Sequence, residues 1–205
     1  MACEGCWPVS SARLRKLQLT DRLGSVQLTD AILDALCAGS LISASLVVSD
    51  EGFFVDPDGV SLGISSKTDR AWLAALRRNC EVVLTSGRTF RAEGYRMPKS
   101  ANLAILSRDF VDTSRLIVGE GQRLHVLGEM PAVSDATREL VSLGYSRIHV
   151  EFGPTSMREL LASDVRVSLF LSGPSERSLE QAAQALGSNI EHLAQVDDLH
   201  LGLAR

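Results

Sequence analysis

The sequence predicts an α/β fold: a mostly parallel sheet flanked by helices, in a single domain. Three observations carry that expectation. Short apolar runs suited to strands alternate with amphipathic runs suited to helices over the second half of the chain. The strand runs carry few polar residues, as strands covered on both faces do. The length of 205 residues, with 45% apolar and 22% charged residues, is enough for one substantial core without disulfide or metal support.

Taken in order, residues 1–25 carry no clear period and read as an extended arm. Thr29 caps a helix through Ala38, with Ile32, Leu33, Leu36 and Cys37 on one side and Gly39 as its stop. Residues 1–40 are thus an N-terminal arm and helix, and 41–205 the domain proper. A first strand spans about 41–48. Asp50-Glu51-Gly52 turns the chain, and Asp56-Pro57-Asp58-Gly59 is a second turn signal. Ser66-Lys67-Thr68-Asp69 reads as a capping box opening a helix with Trp72, Leu73, Leu76 and Arg77; Trp72 is expected in the core. Strands then fall at 81–86, 102–107, 123–127, 147–151 and 166–171. Helices fall at 134–143, 154–162 and 176–186, with Gly144 and Gly187 where helix-terminal glycines belong. Strands at 190–196 and 199–204 close the domain.

The formal net charge of −4 argues against a nucleic-acid partner. The charge is uneven, however. The segment from Arg77 to Arg108 carries +5 and the remainder −9. A basic segment in an acidic chain suits a small anionic ligand. No stretch approaches the ~20 apolar residues of a membrane span. The N-terminus has no apolar run behind a basic start, so the reading is a reduced, cytoplasmic protein with free cysteines. Cys3-Glu4-Gly5-Cys6 has no second pair and reads as a terminal tail, with no metal site expected. His149-Val150-Glu151 is an H-x-E, but no cysteine follows Cys80, so a zinc deaminase is excluded.

Two strand ends carry the chemistry. The run Val82 to Tyr95 stops its strand in Thr85-Ser86-Gly87-Arg88-Thr89. Backbone N–H groups, hydroxyls and a guanidinium meet there, as a phosphate requires. The run Ile148 to Met157 breaks at Gly153, and Pro154 can take the first helical position with Thr155 and Ser156 at the helix mouth. In parallel sheets ligands sit beyond the carboxyl ends of strands, where Thr85 to Thr89, Ser107-Arg108 and Glu151 to Ser156 all fall. Two such ends in one small domain point to a nucleotide cofactor.

At these residues the chain resembles the pyrimidine reductases of riboflavin biosynthesis, whose fold is that of dihydrofolate reductase. The resemblance covers about residues 41–205. The family's Ser-Leu-Asp-Gly is met by Ser49-Asp50-Glu51-Gly52. Its Asp-Gly loop, serine and Arg/Leu-rich helix are met by Asp58-Gly59, Ser61 and Asp69 to Arg78. Its Leu-Thr-Ser-x-x-Thr-Val-x-Ala is met by Leu84 to Ala92, with Phe90 for Val. Its Glu-Gly-Gly-Pro-Thr is met by Glu151-Phe152-Gly153-Pro154-Thr155.

The resemblance implies reduction by NADPH of a ribosylamino chain on a pyrimidine phosphate, and a homodimer. Ser61, Arg77 and Arg96 would hold the phosphorylated substrate, and Glu151 would face the reacting carbon. Val47, Gly63, Thr85, Ser86, Thr89, Glu93, Ser107, Arg108, Gly153, Pro154, Thr155, Ser156 and Met157 would line the NADPH site. Ser107-Arg108 suits a 2′-phosphate, and an arginine can clamp a phosphate bidentately. Apolar residues in the last strands (Val167, Leu169, Phe170, Leu171, Leu199, Leu201, Leu203) are enough to extend a sheet into a partner.

The chain departs from the family at Ser45, where many members have Asn, at Glu51 for Asp, and at Phe152 for Gly. Phe152 either blocks the backbone's approach to the cofactor or points into the core. Leu171 to Ser175 replaces a longer loop. Two other readings stand beside this reductase: a non-catalytic nucleotide-binding or dimeric descendant, and a reductase of dihydrofolate or another pterin.

Overall fold

The computed structural model describes residues 42–128, 130 and 132–204. The arm and helix expected within residues 1–40, with Cys3, Cys6 and Cys37, lie outside them. Eight strands form one sheet: β1 (Ile42–Val47), β2 (Val82–Ser86), β3 (Asn102–Leu106), β4 (Leu124–Leu127), β5 (Ile148–Glu151), β6 (Ser168–Gly173), β7 (Ile190–Val196) and β8 (Leu199–Ala204). Their order across the sheet is β4-β3-β2-β5-β1-β6-β8-β7. The first six in that order run parallel, and β8 is antiparallel to both β6 and β7. The last strand pair thus folds back as a hairpin along the β6 edge, with a bulge between His192 and Ala194.

Among the described residues five helices cover both faces: α1 (Lys67–Arg78), α2 (Gly87–Ala92), α3 (Val133–Ser142), α4 (Pro154–Leu161) and α5 (Glu176–Ala185). On one face α3, α4 and α5 bury Leu140, Met157, Leu160, Leu179 and Ala182 against Ala44, Leu84, Val150 and Leu169. Phe152 belongs to this cluster and is 2% exposed. Of the two alternatives for that departure, the side chain takes the core. The opposite face carries two separate apolar clusters. Under α1, Trp72 meets Phe170 edge-on at 5.6 Å, with Leu76, Leu199 and Leu201 around them. Under α2, Phe90 joins Val83, Leu103 and Ile105.

Between those clusters the same sheet face is polar. Period-2 alternation puts Ser43 and Ser45 of β1 on one side with His149 and Glu151 of β5, and the register pairs Ser43 with His149. His149 is fully buried there, its Nδ1 2.9 Å from the Ser43 hydroxyl and its Nε2 3.1 Å from the Ser45 hydroxyl. Ser45, one of the departures from the resemblance, thus seats a buried histidine.

Four sequence expectations need correcting. The sequence predicts no helix directly after β2, yet α2 forms there. Ser86 accepts from the Thr89 N–H at 3.0 Å and so caps α2 directly. Only half of the expected capping box at 66–69 forms. Ser66 accepts from the Asp69 N–H, but the Asp69 carboxylate turns inward to the hydroxyls of Ser65 and Ser172. Burial there pushes the Asp69 carboxyl above its usual range despite those two bonds. The strand placed at 166–171 runs instead from Ser168 to Gly173, so Ser172 and Gly173 belong to the sheet rather than to a loop. Finally, Leu169, Phe170, Leu171, Leu199, Leu201 and Leu203 are buried within the chain and Val167 is packed against the same core. They are not a free edge for a partner.

Among the described residues no helix is long and apolar enough to cross a membrane.

Candidate functional site

β2 and β5 lie side by side and end together. Thr85 pairs with Glu151, and the Thr85 hydroxyl donates to the Glu151 carbonyl at 3.0 Å. The chain leaves each strand straight into a helix, so Gly87 and Gly153 stand next to one another beyond two parallel carboxyl ends.

At Gly153 the backbone is ordinary, φ −68 and ψ 167, and an added Cβ would meet nothing within 4 Å. No side chain caps α4, and Pro154 brings no N–H. The first intrahelical bond there runs from Met157 N to Gly153 O. The N–H groups of Thr155 and Ser156 precede it and stay available at the positive end of the helix. Space, free donors and a favourable field fit the pyrophosphate of a dinucleotide.

Gly87 is different. An added Cβ would stand 2.3 Å from the Ser107 hydroxyl, with Arg91 Nη1 at 3.3 Å. The start of α2 therefore lies hard against the end of β3, and Arg91 folds back over it. Thr89 is tied to Ser86 twice, through its N–H and its own hydroxyl. Glu93, just past α2, accepts the Ser61 N–H at 2.7 Å and fastens the 61–63 loop beside the same strand ends. In that loop an added Cβ on Gly63 would strike the Asp56 carboxylate, so the chain crosses itself closely there. Val47 ends β1, in register with Ser172.

The charged centre of the site is a closed cluster. Arg77 reaches from the last turn of α1 and donates from Nε to Glu151 Oε1 at 2.7 Å and from Nη2 to Oε2 at 2.6 Å. Tyr95 donates its hydroxyl to the same Oε2 at 2.6 Å and accepts from Arg77 Nη2 at 2.9 Å. Burial pushes the Glu151 carboxyl up, but the Arg77 hydrogen bonds and charge, with smaller help from His149 and Tyr95, hold it below its usual range. Burial pushes the Tyr95 phenol well up, and the Glu151 charge adds to that. His149 Nε2 lies 3.8 Å from Glu151 Oε1. Burial pushes its ring down to about 4, against the pull of Glu151. Burial likewise pushes the Cys80 thiol up to about 12, with Glu151 adding to the shift, which makes it an inert core residue.

The structure thus gathers Thr85, Ser86, Thr89, Ser107, Glu151 and the 153–157 turn at one end of the sheet, with Arg77 bound to Glu151 and Ser61 bound to Glu93. Arg96 and Arg108 stand exposed, outside that bonded cluster. Glu51 is exposed as well and accepts from the Ser49 hydroxyl. Sequence reasoning missed Tyr95, His149 and Arg91 as members. For Arg91 a signal existed, the i, i+4 spacing from Gly87 on a helix. A shallow hollow lined by Glu81, Asn102, Arg123 and Tyr145 lies at the other, amino-terminal end of the strands. Glu81 is occupied there by Ser146 and the Arg147 N–H.

No family model matches the sequence, and no curated protein does. Solved structures do match. A pyrimidine reductase-like protein from Corynebacterium diphtheriae aligns with a TM-score of 0.62 at 15% identity, over 89% of this chain and 98% of that one. The diaminohydroxyphosphoribosylaminopyrimidine deaminase/5-amino-6-(5-phosphoribosylamino)uracil reductase of Thermotoga maritima aligns with a TM-score of 0.59 at 16% identity, over 87% of this chain and 60% of that longer one. A riboflavin biosynthesis reductase from Saccharomyces cerevisiae gives 0.53 at 14%, over 81% and 89%. At such identities the likeness establishes the fold. The chain has the dihydrofolate-reductase-like architecture of the riboflavin-biosynthesis reductases.

Proposed function

We propose that the protein is an NADPH-dependent reductase acting on 5-amino-6-(5-phosphoribosylamino)uracil or a related pyrimidine or pterin. The observation that carries this is the uncapped, open mouth of α4 at Gly153, set directly beside the buried carboxylate of Glu151. When bound, the nicotinamide supplies the hydride. The chain's residues supply binding and electrostatics. Thr155 and Ser156 offer N–H donors to the pyrophosphate, with Gly153 giving it room, Pro154 setting the turn and Met157 closing the first helical bond. Thr85, Ser86 and Thr89 flank it, and Val47, Gly63 and Glu93 border the same strand ends. Ser107, Arg108 and the neighbouring Arg91 suit a 2′-phosphate. Ser61 and Arg96 are assigned to the substrate and its phosphate. Arg77 joins them through Nη1, the donor its bonds to Glu151 and Tyr95 do not use. Glu151, ionised, faces the reacting carbon as a charge rather than as a proton source.

The family's habit makes the working form a cytoplasmic homodimer; a sedimentation coefficient of a monomer at micromolar concentration would end that part. The central test is ligand-linked stability. NADPH at about 100 times its Kd should stabilise the chain by ~2.7 kcal/mol and raise Tm accordingly. NADPH oxidation with the ribosylaminopyrimidine phosphate should follow.

A second reading has its own observation. Arg77, Tyr95 and Glu151 bond to one another in a closed ring, which favours a nucleotide-binding protein without turnover. A Tm shift with NADPH but no oxidation with the pyrimidine or with dihydrofolate selects that reading. No shift with either NADPH or NADH removes both.

A further inference from the structure

Tyr95 matches none of the motifs that carry the family resemblance, yet its hydroxyl occupies the centre of the site. It lies on the turn after α2, its ring stacked on Phe90 at 6.2 Å between centroids. The Arg77 guanidinium carbon is 5.1 Å from the ring centre. The phenol oxygen lies between two partners: it accepts from Arg77 Nη2 and donates to Glu151 Oε2. That direction matters. A phenol that donates to a carboxylate stabilises the ionised form, and protonating the carboxyl would weaken that bond and both Arg77 bonds together.

We propose that Tyr95 is a positioning residue for the reaction, holding Glu151 as a fixed anion at the end of β5 through a three-member ring of hydrogen bonds with Arg77. This rests on the reductase reading for its catalytic meaning, but the geometry is independent of it. An anion so held can accept a hydrogen bond from a protonated substrate nitrogen. It has no proton to give. The consequence is a division of labour: the carboxylate orients and stabilises the substrate, and the proton that accompanies the hydride comes from solvent or from the substrate itself.

Among the described residues, few groups face Glu151. Arg77 comes from α1, Tyr95 from the turn after α2 and His149 from β5 itself. Cys80, just past α1, is a neutral thiol. His149 is neutral at pH 7, so among these described groups Arg77 brings the full charge.

The test is Tyr95→Phe, which keeps the ring and removes the donor. The Glu151 carboxyl is followed by carbon-13 NMR with labelled glutamate, assigned by Glu151→Gln. Its titration midpoint should rise in Tyr95→Phe. In turnover, kcat should fall on the order of tenfold with the KM for NADPH unchanged. The acid limb of the kcat profile should move to higher pH with the carboxyl. In a Glu151→Gln background the same substitution should cost nothing further, because its effect passes through that charge. Arg77→Lys, which keeps the charge and breaks the fork, should shift the midpoint in the same direction, and serves if Tyr95→Phe does not fold. An unmoved midpoint in either folded variant overturns the proposal, as do kcat losses from Tyr95→Phe and Glu151→Gln that simply multiply. If the wild type turns over no substrate, the reductase reading fails. The titration still decides whether Tyr95 fixes the charge.

Discussion

Arg77 and Glu151 lie 74 positions apart and grip one another through one guanidinium edge, Nε and Nη2, and both carboxylate oxygens, at 2.7 and 2.6 Å. The family resemblance would give the first to a phosphate and the second to a reacting carbon. Their pairing makes each the other's first partner.

Breaking that pair should therefore cost stability as well as activity. Glu151 is 10% exposed and Arg77 29%. Removing one partner strands the other in a largely dry setting. Arg77→Ala is expected to destabilise the fold by roughly 2 kcal/mol, discounted for the partial exposure of the arginine. A lower urea midpoint at unchanged slope is the signature. An unchanged midpoint would mean that water screens the pair.

The two strand-end glycines should respond oppositely. At Gly153 an added Cβ meets nothing within 4 Å and the backbone is ordinary, so Gly153→Val should cost the fold only about 1 kcal/mol, for a poorer N-cap, while NADPH affinity collapses. Gly87→Ala drives a methyl into Ser107 and should cost about 1–3 kcal/mol. Calorimetry for Tm and fluorescence titration for NADPH separate the cases. Retained affinity in Gly153→Val would show that the cofactor does not use the 153–157 turn.

Phe152 fills core and should not limit the cofactor. Phe152→Ala is expected to cost about 3–5 kcal/mol, as emptying a buried aromatic site does, with no gain in NADPH affinity. A tighter-binding, equally stable variant would reverse the assignment.

His149 sets an acid limit on stability. Its folded value is depressed from the ordinary 6.5 to about 4. The unfolded chain therefore takes up the proton first. The stabilisation is fully present above about pH 6.5 and is lost as pH falls toward 4, in total on the order of 3 kcal/mol. Asp69, raised by burial, works in the opposite direction, and Glu151 in the same one. The difference between wild type and His149→Gln isolates the histidine. Denaturation at about pH 7 and about pH 4.5 should show the gap between the two proteins narrowing in acid. A constant gap would mean that His149 has the same pKa folded and unfolded.

The sheet was legible because its strands are apolar runs bounded by turn residues. The spans at 190–196 and 199–204 match the strands observed, and the others shift by a residue or two. The ends of β2 and β5 were legible from Thr-Ser-Gly and Gly-Pro-Thr. What escaped is pairing at long range. Nothing local says that Asp69 abandons its helix for Ser172, that Ser45 seats His149, or that Tyr95 completes a ring with Arg77 and Glu151. Those contacts depend on which strands become neighbours. A polar residue in an apolar strand, such as His149, gives no hint of its partner until the strand opposite is known.

The position of β1 in the sheet has a consequence for biogenesis. It is the first described strand in the chain, yet it sits between β5 and β6, and its Ser43 faces a residue 106 positions later. As the chain leaves the ribosome, β1 has no neighbour to bond until β5 and β6 have emerged. Parallel pairing across such distances is slow. A fragment ending before residue 148 would expose the row of amides at the centre of the sheet. Pausing during translation should therefore be tolerated late and hazardous early, and a nascent chain halted ahead of β5 is the form most in need of a chaperone.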